Sequence, residues 1–126
     1  MYNQHIMDHF QHPRNQGIID NPDGEGEAGN PICGDMMHIY LSVKDNKIAD
    51  IKFQTLGCGV AIATSSVLTT LAKGKTLEQA AKISKMDIVK ALGGKDQIPP
   101  QKFHCSIIAE DALKKAIAGY QSKNKK

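Results

Sequence analysis

The spacing of hydrophobic residues changes from segment to segment along this chain of 126 residues. Near its start, the apolar residues of Asn3–Gln11 fall on one helical face, and Pro13 prevents the helix from continuing. The segment Gly17–Cys33 has no such periodicity and is rich in glycine, asparagine and proline. The pattern therefore predicts a short N-terminal helix followed by an irregular loop that leads to the first cysteine.

Strict alternation of apolar and polar residues follows. It runs from Ile39 to Val43 and returns from Ile51 to Phe53, with the turn-forming pair Asp45-Asn46 between the two runs. Two alternating runs joined by a short turn are typical of a β-hairpin. Cys58 comes directly after the second predicted strand.

Helical spacing dominates the rest of the chain. A helix is predicted after Cys58, with Gly74 placed to end it, and a last helix over about Ser106–Tyr120. Between them, Thr76–Gln79 and Ser84–Asp87 have the pattern of capping boxes, which mark two further helix starts. Gly93-Gly94 ends the second of these helices, and Pro99-Pro100 forces an extended segment.

This order of elements predicts an α+β fold. Strands and helices are segregated along the chain rather than alternating, so we expect a small antiparallel β-sheet with helices packed on one face. The length fits a single domain over residues 1–126. We expect a flexible basic tail from about residue 121, because the last residues are mostly lysine.

Composition narrows the possible functions. The net charge is only +3, tryptophan is absent and aromatic residues make up 5%, so few side chains could stack on bases and nucleic-acid binding is disfavoured. No run of about 20 apolar residues is present and the start is polar, so we expect a cytoplasmic protein without a membrane contact. Three cysteines without a CxxC pair argue against a disulfide framework.

The cysteines have unusual neighbours. Glycine follows Cys33 and flanks Cys58 on both sides, which lets backbone N–H groups approach a bulky anionic ligand. Cys105 stands at the start of the last predicted helix, where the dipole favours the thiolate, so it should be the most readily ionised of the three. Asp35 and His104 add a carboxylate and an imidazole. Five potential ligands for four metal positions indicate ligand exchange.

Three alternatives remain at this point. Each cysteine alone could be a small buried apolar residue. The same residues could hold a structural zinc ion, with His104 or Asp35 as the fourth ligand. Cys105 could be a nucleophile with His104 or His38 as its base, although no oxyanion motif is apparent. A metal site on His5 and His9 of the first helix is disfavoured, since these residues fit a solvated polar face.

Three motifs resemble those of the IscU family of iron-sulfur cluster assembly scaffolds. They are Asn30–Asp35, Thr55–Ser66 and Lys102–Asp111, and the likeness extends to Tyr2, Asp8–Phe10, His12–Asn15 and Ile98–Lys102. The resemblance covers nearly the whole chain. His104 and the short spacing between the second and third cysteines favour the IscU branch over the SufU branch, and the chain has no room for the further domains of NifU.

The resemblance implies specific roles. It implies Cys33, Cys58 and Cys105 as cluster ligands and His104 or Asp35 as the exchangeable fourth ligand, with Asp35 also making the cluster labile. It further implies that Cys105 accepts persulfide sulfur. The cofactor would be a 2Fe-2S cluster built from Fe²⁺, with Zn²⁺ able to replace it, and the protein would be a carrier without classical turnover.

The same resemblance implies partners. These are a cysteine desulfurase, a ferredoxin or other electron donor, and apo iron-sulfur proteins, with the scaffold a monomer or a cluster-bridged dimer. The family typically carries Leu-Pro-Pro-Val-Lys for a dedicated chaperone, whereas Gln101 replaces the valine within Ile98–Lys102, which removes an apolar anchor. Val60 also stands where serine is common beside the second cysteine.

Overall fold

The computed structural model describes residues 3–30, 35–57, 59–94 and 104–123. Three strands and five helices follow one another in these parts of the chain. In chain order they are α1 (Gln4–Gln11), β1 (Gly24–Asn30), β2 (Asp35–Lys44), β3 (Lys47–Leu56), α2 (Gly59–Ala72), α3 (Leu77–Ala81), α4 (Lys85–Ala91) and α5 (His104–Lys123).

The strands form one antiparallel sheet in the order β1-β2-β3. The predicted hairpin is confirmed as β2 and β3, and its turn is Asp45-Asn46 with φ of 54° and 62°. Positive φ at both central residues is the type I′ geometry, whose twist matches that of the strands it joins. Asparagine and aspartate tolerate this conformation better than most residues, which is why the pair indicates a turn.

The prediction of an irregular loop over Gly17–Cys33 is wrong in part, because β1 lies inside it. Its glycines are needed for close packing: a Cβ atom on Gly24 would lie 2.5 Å from the carbonyl oxygen of Ala116, and one on Gly26 would lie 2.6 Å from that of Ala112. The backbone of α5 therefore rests directly on the backbone of β1. Glycine is depleted in ordinary strands, so composition pointed to a loop.

The helices cover one face of the sheet, as predicted for the α+β fold. On that face the side chains of β2 and β3 are fully or almost fully buried, among them Met37, Ile39, Leu41, Ile51 and Phe53. The opposite face, which we call the open face, carries Glu25, Glu27, His38, Tyr40, Lys52 and Gln54, which are exposed or half-buried. Helix α2 lies in the centre, with ten of its fourteen residues buried.

Side-chain caps define the helix starts. The capping boxes predicted at Thr76 and Ser84 are both present, and they begin α3 and α4. Asn3 caps α1 by accepting a hydrogen bond from the Ile6 N–H at 2.9 Å. Helix α5 extends beyond the predicted Ser106–Tyr120 at both ends and includes residues 121–123 of the predicted tail. The segment with Pro99-Pro100 lies outside the described residues.

Among the described residues, we find no helix long and apolar enough to cross a membrane.

Candidate metal site at one end of the sheet

Strand register brings two loop ends together. Asn30 at the end of β1 pairs with Asp35 at the start of β2, and Met36 pairs with Leu56 at the end of β3. The β1–β2 connection and the β3–α2 connection therefore leave the sheet at the same end of the strands. We call this end of the domain the site end.

Helix α5 begins at the site end too. A Cβ atom on Gly24 would contact Ala116 and Tyr120, whereas one on Gly26 would contact Ala112 and Ala116. Residue numbers along α5 thus fall as those along β1 rise, so the two elements run antiparallel. Seven residues of helix from Ala112 back to Cys105 span about 10 Å, and four residues of strand from Gly26 to Asn30 span about 13 Å. The first turn of α5 accordingly lies near the end of β1.

The structure thus brings together the chain segments that carry the five predicted site residues. Asp35 is the first residue of β2, and His104 and Cys105 are the first two of α5. Cys33, between β1 and β2, and Cys58, between β3 and α2, lie outside the described residues. Their assignment as ligands, with that of Asp35, stays a prediction supported by where their flanking residues lie.

Two hydroxyl groups connect the chain segments that precede and follow Cys58. The Oγ1 of Thr55 lies 2.6 Å from the Oγ of Ser65, and the Ser65 hydroxyl lies 2.8 Å from the carbonyl oxygen of Ala61. Because a carbonyl can only accept, Ser65 donates to Ala61 and Thr55 donates to Ser65. The last residues of β3 are therefore tied to the first turns of α2, on either side of the cysteine.

The described part of the site contains one thiol and one imidazole in contact. The Sγ of Cys105 lies 4.0 Å from the Nε2 of the half-buried His104. Cys105 itself is 0% exposed and packs with the core residues. Burial penalises the charged thiolate, whereas the helix start favours it, so the two effects predicted for this residue oppose each other. In this conformation the Cys105 thiol is not accessible from solvent.

Apolar side chains at the site end are unusually exposed. Leu56 is 64% exposed, Ile107 46% and Phe10 41%, and the Phe10 ring lies over the start of α2, 3.3 Å from where a Cβ on Gly59 would be. Leu56 and Gly59 flank Cys58, and Ile107 is two residues beyond Cys105. The segments next to Cys58 and Cys105 thus carry exposed apolar side chains.

Helix α1 is tied to α2 by a polar network that the sequence did not reveal. The Oγ of Ser66 accepts the backbone N–H of Arg14 at 2.9 Å and lies 2.8 Å from the Nδ1 of His9. Burial, together with the nearby positive charge of Arg14, lowers the pKa of His9. His9 therefore favours the neutral form, in which Nδ1 accepts the Ser66 hydroxyl proton. It was predicted to lie on a solvated face, and only its contact with a distant serine shows its role.

A charged pair joins α1 to the segment that follows it. Arg14 donates to the carboxylate of Asp8 at 2.7 Å, and this hydrogen bond lowers the pKa of Asp8. At the helix start, the Asn3 side chain donates to the carbonyl of Leu92 at 2.7 Å. Helix α1 thus links α2 to the end of α4, just before the segment that leads to Cys105. Among the described residues, no three His, Cys, Asp or Glu side chains form a ready metal site, on α1 or elsewhere.

Comparisons with known proteins place the chain in a family. The family described as NifU-like N terminal domain matches residues 1–126. The chain is 57% identical, over all of its length and 80% of the relative, to iron-sulfur cluster assembly scaffold protein IscU 1 of Archaeoglobus fulgidus. It is 48% identical, over 97% of its length and 95% of the relative, to the IscU scaffold protein of Escherichia coli.

A solved structure has the same architecture. An iron-sulfur cluster assembly scaffold protein for the SUF system from Fervidobacterium islandicum superposes with a TM-score of 0.77. The match covers 92% of this chain and 96% of that one at 25% identity. The higher identity to IscU proteins agrees with the branch that His104 and the cysteine spacing predicted. The chain therefore belongs to the family of the NifU-like N-terminal domain and, within it, to the IscU type.

Proposed function

We propose that this chain is the scaffold on which a 2Fe-2S cluster is assembled from Fe²⁺ and persulfide sulfur, and from which the cluster passes to apo-proteins. Iron-sulfur cluster assembly as such follows from the family and from the named relatives. The observation that carries the finer proposal is the convergence at the site end of Asp35, the flanks of Cys33 and Cys58, and the His104-Cys105 pair.

The ligands have unequal roles in this proposal. Cys33, Cys58 and Cys105 supply thiolates, the ligands that iron-sulfur clusters prefer. His104 or Asp35 fills the fourth position. A hard carboxylate binds a soft cluster weakly, so a recipient protein that offers another thiolate displaces it. The scaffold therefore holds the cluster firmly enough to build it and loosely enough to release it.

Sulfur enters at Cys105. Its thiolate attacks the outer sulfur of a persulfide on a cysteine desulfurase, which forms the S–S bond on Cys105 and releases the desulfurase thiolate. Two electrons from a ferredoxin or similar donor and one proton then convert this persulfide to the Cys105 thiol and hydrosulfide. The exposed apolar border of Phe10, Leu56 and Ile107 supports contact with such protein partners.

The burial of Cys105 adds a requirement to this step. A thiol with 0% exposure cannot reach the sulfur of another protein. The first turn of α5 must therefore open before sulfur is transferred. We expect this opening to accompany desulfurase binding, because the apolar border next to Cys105 is where a partner would contact the scaffold.

Anaerobic reconstitution tests the proposal. The protein is incubated with Fe²⁺, cysteine, a cysteine desulfurase and a reductant, and absorbance and Mössbauer spectra are recorded. We expect a 2Fe-2S spectrum and transfer of the chromophore to an apo-ferredoxin. Cys105→Ser should abolish formation, whereas Ser122→Ala, an exposed change near the other end of α5, should have no effect.

A permanent zinc ion on the same residues would contradict the proposal. In that case the protein would retain one zinc, resist exchange with iron and sulfide, and unfold when the zinc is chelated. A mononuclear iron site without acid-labile sulfide would also refute cluster assembly.

We place the reaction in the cytoplasm of a bacterium or archaeon, because an archaeal and a bacterial relative match nearly the whole chain. Chaperone contact through Ile98–Lys102 remains a prediction, since that segment lies outside the described residues.

A further inference from the structure

The open face of the sheet carries a second cluster of potential ligands. On β1, Glu25 and Glu27 point away from the core, and they pair across the sheet with Tyr40 and His38 of β2. His38 is the centre of the cluster, because both of its ring nitrogens face a carboxylate.

The two nitrogens have different surroundings. The Nδ1 atom lies 3.3 Å from the Oε2 of Glu27, within the range of a long hydrogen bond. The Nε2 atom lies 3.9 Å from the Oε1 of Glu25, and it is buried with no hydrogen-bond partner in the part of the chain that the structure describes. If the ring proton is on Nδ1 and directed at Glu27, then Nε2 carries a lone pair that faces a carboxylate. Two acceptors so placed repel each other unless a positive species lies between them.

The ring is held in this orientation. His38 stacks on Tyr40 with 4.4 Å between ring centroids and 12° between ring planes. Burial raises the pKa of Tyr40, and the negative charges of Glu25 and Glu27 raise it further. The carboxylates of Glu25 and Glu27 thus lie close enough to this ring pair to act on the Tyr40 hydroxyl.

We propose that His38 Nε2 and the Glu25 carboxylate bind one divalent transition-metal ion, with Glu27 orienting the imidazole from behind. A tetrahedral zinc ion with ordinary bond lengths separates nitrogen and oxygen ligands by about 3.4 Å, so the observed gap needs only a small side-chain adjustment. A carboxylate behind the ligating histidine is a common arrangement that fixes the tautomer and strengthens the nitrogen donor.

Water supplies the remaining ligands, since the described residues offer no third protein ligand in place. A cleft of about 380 Å³ opens beside the ring on the side of Glu27 and is lined by Glu27, His38 and Gln54, among others. Imidazole with carboxylate suits Fe²⁺, Zn²⁺ and Co²⁺, whereas Mg²⁺ and Ca²⁺ prefer oxygen ligands alone.

This site is separate from the cysteine site. His38 is three residues along β2 from Asp35, a distance of about 10 Å. It uses no residue of the proposed cluster site. The inference therefore stands or fails independently of the proposed function, and it adds a second place where the scaffold holds a metal ion.

Site-resolved NMR tests the proposal with Co²⁺ as the probe. Side-chain histidine resonances are followed while Co²⁺ is added to the anaerobic, reduced protein. Co²⁺-thiolate absorbance reports the cysteine site at the same time. We expect the His38 ring to broaden further after the Co²⁺-thiolate absorbance has saturated, at a cobalt concentration that leaves His12 unaffected, and no broadening with equal Mg²⁺.

Three variants separate the roles. His38→Gln should remove the second binding event, Glu25→Gln should weaken it at least tenfold, and Glu27→Gln should weaken it about tenfold through the orientation of the ring. His12→Gln is the matched control and should change nothing. Circular dichroism checks that each variant folds, which is expected because Glu25, Glu27 and His12 are exposed and His38 is only half-buried.

Two results would overturn the site. If His38 shifts with pH but not with Co²⁺, then a proton alone bridges the two carboxylates. If Co²⁺ broadens His38 equally in wild type and in Glu25→Gln, then the imidazole binds the metal ion without the Glu25 carboxylate. In both cases the thiolate absorbance still reports on the cysteine site, so the proposed function is tested separately.

Discussion

The middle of α5 and its first turn differ in how they are packed. Near Ala112 and Ala116 the helix backbone lies against the glycines of β1, where not even a methyl group would fit. In its first turn, Cys105 is buried beside His104, and Ser106 has a buried hydroxyl without a hydrogen-bond partner among the described residues. The middle of α5 is therefore held by close backbone packing, whereas the first turn contains an unsatisfied polar group. The same helix thus supports the sheet firmly in its middle and is less completely bonded where it carries Cys105.

The largest expected effect comes from disrupting the close backbone packing between α5 and β1. Gly26→Ala places a methyl group against the backbone of α5, 2.6 Å from the Ala112 carbonyl oxygen, and backbone cannot move aside as a side chain can. We expect a loss of about 3 kcal/mol or more of unfolding free energy, at the upper end for overpacking. Urea denaturation measures it.

Gly119→Ala is the matched control for this change. Its Cβ would lie 3.1 Å from the Glu25 carbonyl oxygen, a milder contact, and alanine raises helix propensity. We expect a much smaller loss. Equal losses for the two variants would show that the interface is not tightest at Gly26.

The second prediction concerns access to Cys105. Since the thiol is fully buried, alkylation must wait for opening of the first turn of α5. We expect labelling roughly 100-fold or more slower than in the urea-unfolded chain, as quantified by mass spectrometry of the peptide that contains Cys105. If opening is local, mild urea should change this rate little. A rate equal to that of the unfolded chain would mean that Cys105 is accessible in the folded protein.

The third prediction concerns the attachment of α1. Ser66→Ala leaves the Arg14 N–H and the His9 Nδ1 without their shared partner, which should cost about 1–2 kcal/mol. Denaturant titration of the variant measures the loss. Ser84→Ala is no control, because it removes a helix cap, whereas the exposed Ser122→Ala is suitable.

The same network gives a pH dependence with a defined sign. The pKa of His9 is lower in the folded state than its ordinary value of 6.5, so the unfolded chain binds the proton more readily. The stability from neutral His9 is complete above pH 6.5 and is lost as pH falls through the lowered pKa. We expect the difference in stability between wild type and His9→Gln to shrink as pH falls below 6.5. A difference that is constant from pH 8 to pH 5 would contradict this assignment.

A structural feature could be predicted from the sequence when residues close together in the chain determine it. The Asp45-Asn46 turn and the two capping boxes are determined by residues within four positions of each other, and all were predicted correctly. The strand Gly24–Asn30 was missed because its glycines are explained by α5, nearly 90 residues later. Its alternation of glycine and glutamate is recognisable only once a helix is known to cover it.

The site shows the same division. The five residues Cys33, Asp35, Cys58, His104 and Cys105 were predicted from their immediate neighbours and from a resemblance, and strand register explains why their segments meet. The burial of Cys105 and the contact between His9 and Ser66 depend on packing between distant elements. Neither feature can be predicted from the residues next to it in the sequence.

The smallest expected effect concerns the first turn of α5. Ser106→Ala removes a buried hydroxyl that has no hydrogen-bond partner among the described residues, so the folded state no longer bears its desolvation cost. Alanine also has the higher helix propensity. We expect a gain of about 0.5–1 kcal/mol in unfolding free energy and slower alkylation of Cys105. A loss of stability would show that the hydroxyl is hydrogen-bonded, for example to a buried water. Under the proposed function, in which the first turn of α5 opens to accept sulfur, the stabilised variant should also assemble cluster more slowly, whereas Ser122→Ala should leave both rates unchanged.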